Sequence, residues 1–330
     1  MEKICSVIVS VYNEEDSLEQ FYQHCSQSCE KLQELGYGYE IVFVNDGSQD
    51  KSAILLEDFA ERDREHVRVL SFSRNFGHEA AMTAGLDHAK GDFLVFMDAD
   101  LQHPPELISE MLKKSEEGYQ VVSMVRTKNP SAGLVKNVTS ALFYWILNHV
   151  SPVHFEENAS DFFGISKKVQ EVLKKHYREK VRYLRGFVQS VGFPKTSIRY
   201  EAAARQAGQS HYSLSKLWQF SKNTLFTFSN LPLQLGIFAA ICSGGLGTVL
   251  LIYTLLTRKG APSGYATIVV VLCFMFAVLF FVIGIIGEYI AILFEELKDR
   301  PLYIFSKPKL SFVCISTLLA FRILLDILTV

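Results

Sequence analysis

Five short runs of β-branched and aromatic residues recur in the first 130 positions: Ile4–Val11, Glu40–Asn45, Val67–Phe72, Phe93–Met97 and Val121–Val125. Each has the length of a strand and a nearly continuous apolar character, the pattern of strands covered on both faces. Between them the period lengthens. Ser17–Leu35 sets Leu18, Phe21, Tyr22, Cys25, Cys29 and Leu32 along one stripe, which predicts an amphipathic helix with Ser17 and Gln20 placed for a capping box. Strands alternating with helices predict an α/β fold with a mostly parallel sheet, where ligands bind beyond the carboxyl ends of the strands.

The pattern changes after residue 230. Leu233–Leu256 holds no charged residue in 24 positions, and Ala266–Gly287 holds none in 22. As helices these reach roughly 33–36 Å, against about 30 Å for a bilayer core. Thr257–Tyr265 between them carries Gly260, Pro262 and Gly264, which predicts a hairpin of two transmembrane helices. The chain thus divides into a polar domain (1–230), a membrane hairpin (231–295) and a tail (296–330), whose stretch 310–330 is an interfacial helix or a further span. Most basic residues flank the hairpin on the domain and tail side, so both termini are expected in the cytoplasm of a multi-pass protein of the inner (plasma) membrane.

Composition agrees with this division. Hydrophobic residues make up 49% of the 330 and charged residues 21%, which excludes disorder. A net charge of −2 argues against a nucleic-acid partner. The six cysteines lack metal-site spacing and read as buried free thiols in a reducing compartment. The N-terminus, running straight into a strand pattern, does not have the form of a signal peptide.

The chemistry gathers at the strand ends. The first ends in Tyr12-Asn13-Glu14-Glu15, the second in Asn45-Asp46-Gly47-Ser48, the fourth in Asp98-Ala99-Asp100-Leu101-Gln102. No G-x-G-x-x-G or phosphate-loop string follows a strand. Asp98 and Asp100 supply hard oxygen donors suited to Mg²⁺ or Mn²⁺ and, through it, a substrate diphosphate. A lone D-x-D is equally a capped turn; specificity comes from the ordered set of three tips.

That set resembles the family-2 glycosyltransferases of the GT-A fold, and within them the polyprenyl-phosphate glycosyltransferases. The strings are V-S-V-Y-N-E-E (9–15), V-N-D-G-S-Q-D (44–50), S-R-N-F-G-H-E-A-A (73–81), M-D-A-D-L-Q-H-P-P-E (97–106), G-E-Y-I (287–290) and R-P-L-Y (300–303). The resemblance implies an inverting, metal-dependent enzyme moving a sugar from a nucleotide donor, UDP-linked, to undecaprenyl phosphate or a similar membrane lipid. It places the nucleotide at Asn13, Glu14, Asp46 and Asp98, with Arg74 and Asn75 nearby. It places the metal at Asp98 and Asp100, and Gln102 beside metal and sugar. Asp100 and Asp161 become the catalytic pair, with Asp161 orienting sugar or acceptor. Arg126, Lys136, Ser140 and Arg205 become the acceptor-phosphate set, Lys136 and Ser140 being i, i+4 on one helical face.

The family's homo-oligomers make self-association an expectation. Asn45, His78, Phe163, Ala202, His211 and Ile292 depart from residues common in the family, several of them basic. Two other readings follow from these departures: a glycolipid or polysaccharide acceptor, or a catalytically weak subunit that binds a nucleotide sugar.

Overall fold

The computed structural model describes residues 3–127, 156, 159–201, 231–256 and 264–306. A seven-stranded sheet organises the first part. Its strands are β1 (Lys3–Val11), β2 (Tyr37–Asn45), β3 (Val67–Ser71), β4 (Phe93–Asp98), β5 (Val121–Arg126), β6 (Ala159–Ser166) and β7 (Lys195–Tyr200). They lie in the order β3-β2-β1-β4-β6-β5-β7. The β1–β2, β1–β4, β2–β3 and β5–β7 pairs are parallel, and only β6 runs against its neighbours. The five expected strands are therefore present, and the sheet is mostly parallel.

Both faces are covered. Val7, Val9, Ile41, Phe43, Val95 and Met97 belong to one apolar cluster, with helices α1 (Leu18–Glu30), α2 (Ser52–Arg62) and α4 (Ile108–Glu116). Their strand neighbours Ile8, Val42, Val44, Leu94 and Phe96 belong to the other, with α3 (His78–His88), α5 (Lys167–His176) and α6 (Leu184–Ser190). This is the alternation of period two that a pleated strand imposes. It reads as a continuous apolar run because both sides are packed.

The helix expected over Ser17–Leu35 stops being α-helical at Glu30 and finishes as a tighter turn, Lys31–Leu35, closed by Gly36 at φ +76°. The capping box does not form. Ser17 Oγ turns back to Glu14, donating to its backbone oxygen at 3.3 Å and its carboxylate at 3.1 Å. Cys5, Cys25 and Cys29 are buried free thiols, as expected, whereas Cys242 is a free thiol exposed on the helix after residue 230.

Beyond residue 230, α7 (Leu231–Leu256) and α8 (Tyr265–Leu297) meet where Gly236 faces Val282 and Ile285. Phe274–Leu297 is long and apolar enough to cross a membrane, whereas the apolar stretch Leu233–Val249 is shorter. By that measure one of the two expected spans is met among the described residues. Both helices expose large apolar side chains, among them Ile237, Phe238, Ile241, Phe280 and Phe281.

The chain then returns to the sheet. After α8, Tyr303–Ser306 lies along edge strand β3: Ser73 N donates to Ile304 O and Ser306 N to Ser71 O, both at 2.8 Å. The Tyr303 ring stacks on Phe72 at 5.3 Å, and its hydroxyl donates to Asp87 at 2.8 Å. Arg178 donates to both oxygens of the same carboxylate, at 2.8 and 3.0 Å. The segment thus hides an edge that would otherwise recruit another strand.

Replacing Tyr303 by phenylalanine keeps the stack and removes one charge-assisted hydrogen bond, worth about 1–2 kcal/mol at this half-buried site. The thermal midpoint in detergent is expected to fall by about 3 °C. An unchanged midpoint would show that the ring stack alone holds the tail.

Candidate active site

Three strand tips and one helix start meet at the carboxyl edge of the sheet. Ser10 near the end of β1 pairs with Asp98 at the end of β4 in the parallel register. Its hydroxyl donates to Asp98 Oδ1 at 3.1 Å and lies 2.9 Å from Nδ1 of His78, the first residue of α3. His78 Nδ1 is 3.6 Å from the same carboxylate oxygen. α3 gets this close because Gly85 lies against β1, where an added Cβ would sit 2.1 Å from an Ile8 methyl.

Asp161 reaches the cluster through a bulge. Phe163 pairs with Ser123 and Ala159 with Val125, so β6 spends more residues than β5 between the two pairs. Ser160 stabilises the distortion by donating to Met124 O at 3.1 Å. A bulge re-aims a side chain, and here Asp161 faces His78 and Arg185, the latter at 3.5 Å. Phe163 points away, stacked on Phe96 at 4.6 Å in the core. A basic side chain in its place would enter that core, so this departure takes no charge from the site.

Electrostatics reinforce the grouping. Burial opposes ionisation of Asp161, but Arg185, His78, His103 and Arg126 outweigh it and hold the carboxyl below its ordinary range. Burial likewise opposes charge on His78, yet Asp98, Asp161, Glu79 and Asp46 raise its basicity. Glu79 shifts upward, from burial first and then from Asp161. Among the described residues, His78, Asp98 and Asp161 bring one donor atom each within 4.8 Å of one another, close enough to hold a cation.

Asp100 stands outside this trio. Leu101 adopts φ +63°, and Asp100 Oδ1 accepts the Gln102 amide at 3.1 Å in the turn that results. The metal pair expected from D-x-D is therefore represented in the trio by Asp98, joined by His78 and Asp161.

The nucleotide-side residues form a second layer. Asn13, at φ +54°, accepts from Gln49 N at 2.8 Å, while its own amide donates to Ser48 Oγ. Glu14 N donates to Ser52 Oγ at 3.0 Å. Asp46 is buried and accepts from Phe76 N at 2.6 Å and Gly77 N at 2.9 Å, which makes it the brace of the 74–77 loop. Burial pushes its carboxyl upward, against those two donors and the nearby His78 and Arg74. Asn45 closes the turn after β2 by accepting Ser48 N at 2.9 Å. Arg74 lies over the Phe76 ring at 4.0 Å and donates to Asn75 O.

On the far side, Arg126 ends β5. Its Nε donates to Tyr200 Oη at 3.1 Å, and Nη2 lies 3.2 Å from His103 Nε2. Lys136, Ser140 and Arg205 lie outside the described residues. Sequence reasoning passed over Ser10, His103, Arg185 and Tyr200. Ser10 and His103 stood inside quoted strings, and Arg185 and Tyr200 carry no local signal because the fold assembles them from distant segments.

A family model, glycosyl transferase family 2, matches residues 6–184. The chain belongs to glycosyl transferase family 2. This glycosyltransferase is 38% identical to the uncharacterized glycosyltransferase YkcC of Bacillus subtilis, over 92% of its own length and 93% of the relative's. It is 37% identical to the SfII prophage-derived bactoprenol glucosyl transferase of Shigella flexneri, over 92% and 97%. Among solved structures it aligns with a glucosyl-3-phosphoglycerate synthase from Mycobacterium tuberculosis in complex with Mn²⁺, UDP-glucose and phosphoglyceric acid. That match has TM-score 0.44 and 18% identity over 68% of this chain and 77% of that one. By its family the chain is a glycosyltransferase of the GT-A type, built on the mostly parallel sheet described above.

Proposed function

We propose that the enzyme transfers a sugar, with inversion, from a UDP-linked donor to a polyprenyl phosphate held at the cytoplasmic face of a bacterial inner membrane. The observation that carries this reading is the convergence of His78, Asp98 and Asp161 at one sheet edge, with Arg126 opposite. The bactoprenol glucosyl transferase relative, matched over nearly its whole length, supports the acceptor class. The exposed apolar surfaces of α7 and α8 support a two-helix membrane hairpin behind the catalytic domain. Residues 1–230, 231–295 and 296–330 then serve as catalytic domain, hairpin and tail.

The donor atoms fit a divalent cation. Two carboxylates and one imidazole suit Mn²⁺ better than Mg²⁺, which favours oxygen alone. His78, Asp98 and Asp161 would hold such an ion, and it would supply charge neutralisation for the departing diphosphate. The protein's part is positioning. A lipid phosphate is already an anionic nucleophile, so no strong base is required. Arg126 holds it, and Asp161, kept ionised by Arg185, orients the sugar or acceptor. Asp46 and Gly47 lock the loop that faces the nucleotide.

The test offers labelled nucleotide sugars to purified enzyme in detergent with Mn²⁺ and undecaprenyl phosphate, and counts label entering the lipid phase. One donor is expected to label the lipid, and EDTA is expected to abolish the signal. No label from any donor would overturn the acceptor assignment. Label that survives EDTA would overturn the metal's role.

A further inference from the structure

The segment that follows α8 pairs beyond the strand it covers. β3 ends at Ser71, yet the antiparallel bridge joins Phe72 to Phe305, and Ser73 N donates to Ile304 O at 2.8 Å. Ser306 closes the pairing on Ser71 O, with its amide at 2.8 Å and its hydroxyl at 3.2 Å. The contacts thus fall where β3 gives way to the loop leading to Gly77. Aromatic rings extend them. Phe72, 4% exposed, stacks flat on Tyr303 at 5.3 Å and meets Phe305 at 5.9 Å. It also meets Phe76 edge-on at 5.6 Å, and the Arg74 guanidinium lies over the Phe76 ring at 4.0 Å.

A segment laid on a sheet edge is ordinarily edge protection. That role needs hydrogen bonds along Val67–Ser71, whereas these begin at Ser71 and run into the loop. The loop has a need of its own. Asp46 fixes its far end through the Phe76 and Gly77 amides, but Ser73, Arg74 and Asn75 are exposed. Ile304 O holds the first of these three. The rings running from Tyr303 and Phe305 through Phe72 and Phe76 end at the second. Edge protection alone would require neither contact.

We propose that Tyr303–Phe305 is the outer support of the nucleotide loop and sets donor affinity through Phe72, Phe76 and Arg74. This rests on the reading of the 74–77 loop as the side facing the donor nucleotide. An arginine on a flexible stem loses rotamer freedom when it binds an anion, and holding it on an aromatic face beforehand removes part of that cost. Tyr303 and Phe305 are positioning residues, acting on the nucleotide through the loop. Acceptor affinity is left alone, because Arg126 ends β5 and four strands lie between β3 and β5 in the sheet. Donor binding is thereby tied to the chain that leaves α8.

The experiment measures dissociation constants of the full-length protein in detergent for UDP with Mn²⁺ and, separately, for undecaprenyl phosphate. Phe305→Ala removes the ring and keeps the main-chain pairing, and Phe305→Tyr keeps both. Phe305→Ala is expected to weaken UDP about fivefold, and Phe305→Tyr to stay within about twofold of the parent. Undecaprenyl phosphate binding is expected to stay within about twofold for both variants. In the Arg74→Ala background, Phe305→Ala should add less than about twofold.

If the unmodified protein does not bind UDP, the reading of the loop fails and this inference with it. If it binds and Phe305→Ala binds equally well, only the support role fails. Equal weakening of both ligands would assign the segment to general stability and overturn the proposal. An undiminished loss in the Arg74→Ala background would overturn the route through Arg74. Should Phe305→Ala not fold, the milder Phe305→Leu carries the same test, and an unchanged UDP constant for it overturns the proposal.

Discussion

Asparagine at position 98 is expected to lower sugar transfer by about 10²–10³-fold while leaving the fold intact. The side chain keeps its shape, so Ser10 Oγ retains a hydrogen-bond partner at the end of β4. What disappears is the charge. The Asp98 carboxylate lies 3.6 Å from His78 and 4.0 Å from His103, and it supplies one of the three atoms grouped to hold a cation. Two donors without it leave His78 and Asp161, too few for a divalent ion in competition with water. Mn²⁺ affinity is therefore expected to fall in parallel with turnover, by 10-fold or more. Titration calorimetry with Mn²⁺ and UDP, beside the transfer assay, checks both. A loss of transfer below tenfold with normal Mn²⁺ binding would remove Asp98 from the centre of the chemistry.

Gly47→Ala is expected to be severely damaging, because a positive φ and a main-chain clash coincide there. At φ +67° the backbone is in the left-handed region, which costs an alanine about 1–2 kcal/mol. An added Cβ would also lie 2.4 Å from the Arg74 carbonyl carbon and 2.7 Å from the Asn75 nitrogen, both main-chain atoms with nowhere to go. The 45–48 and 74–77 loops must separate, and the buried Asp46 carboxylate then loses the Phe76 and Gly77 amides. Leaving a buried charge short of donors adds about 2–3 kcal/mol, for a total near 4 kcal/mol. The thermal midpoint should drop by about 10 °C, and UDP affinity should fall because His78 follows directly on Gly77. Gly36→Ala is the control. It has a similar φ, +76°, but nothing within 4 Å of the added atom, so it should cost only the backbone share. Equal losses at the two positions would dismiss the clash.

The sheet's first five strands were legible because burial on both faces leaves unbroken apolar runs. β6 and β7 were not: Ala159–Ser166 is interrupted by serine, aspartate and glycine, and Lys195–Tyr200 alternates exposed residues at an edge. Their placement depends on pairing with β4 and β5, which no local pattern announces. The site followed the same division. Asp46 and Asp98 sit in strings that end strands and were found, whereas Ser10 and Tyr200 are ordinary residues until the register brings them to Asp98 and Arg126. Asp100 lies outside the His78, Asp98 and Asp161 group for a different reason. Spacing i, i+2 shares a face only while the strand continues, and here it ends at Asp98 and turns at Leu101.

Helix α3 touches two distant events with one rigid body. Its first residue, His78, stands in the catalytic cluster, and Asp87 near its other end fastens the segment that returns from α8. Eleven residues of α-helix make a strut about 16 Å long. Lys180, beyond the end of α5, makes a second contact with this region, through Glu296 near the end of α8 and Asp299 just after it. One helix length therefore separates the catalytic cluster from the place where the chain returns after α8, so a variant that frees Tyr303 from Asp87 loosens the far end of the element that carries His78.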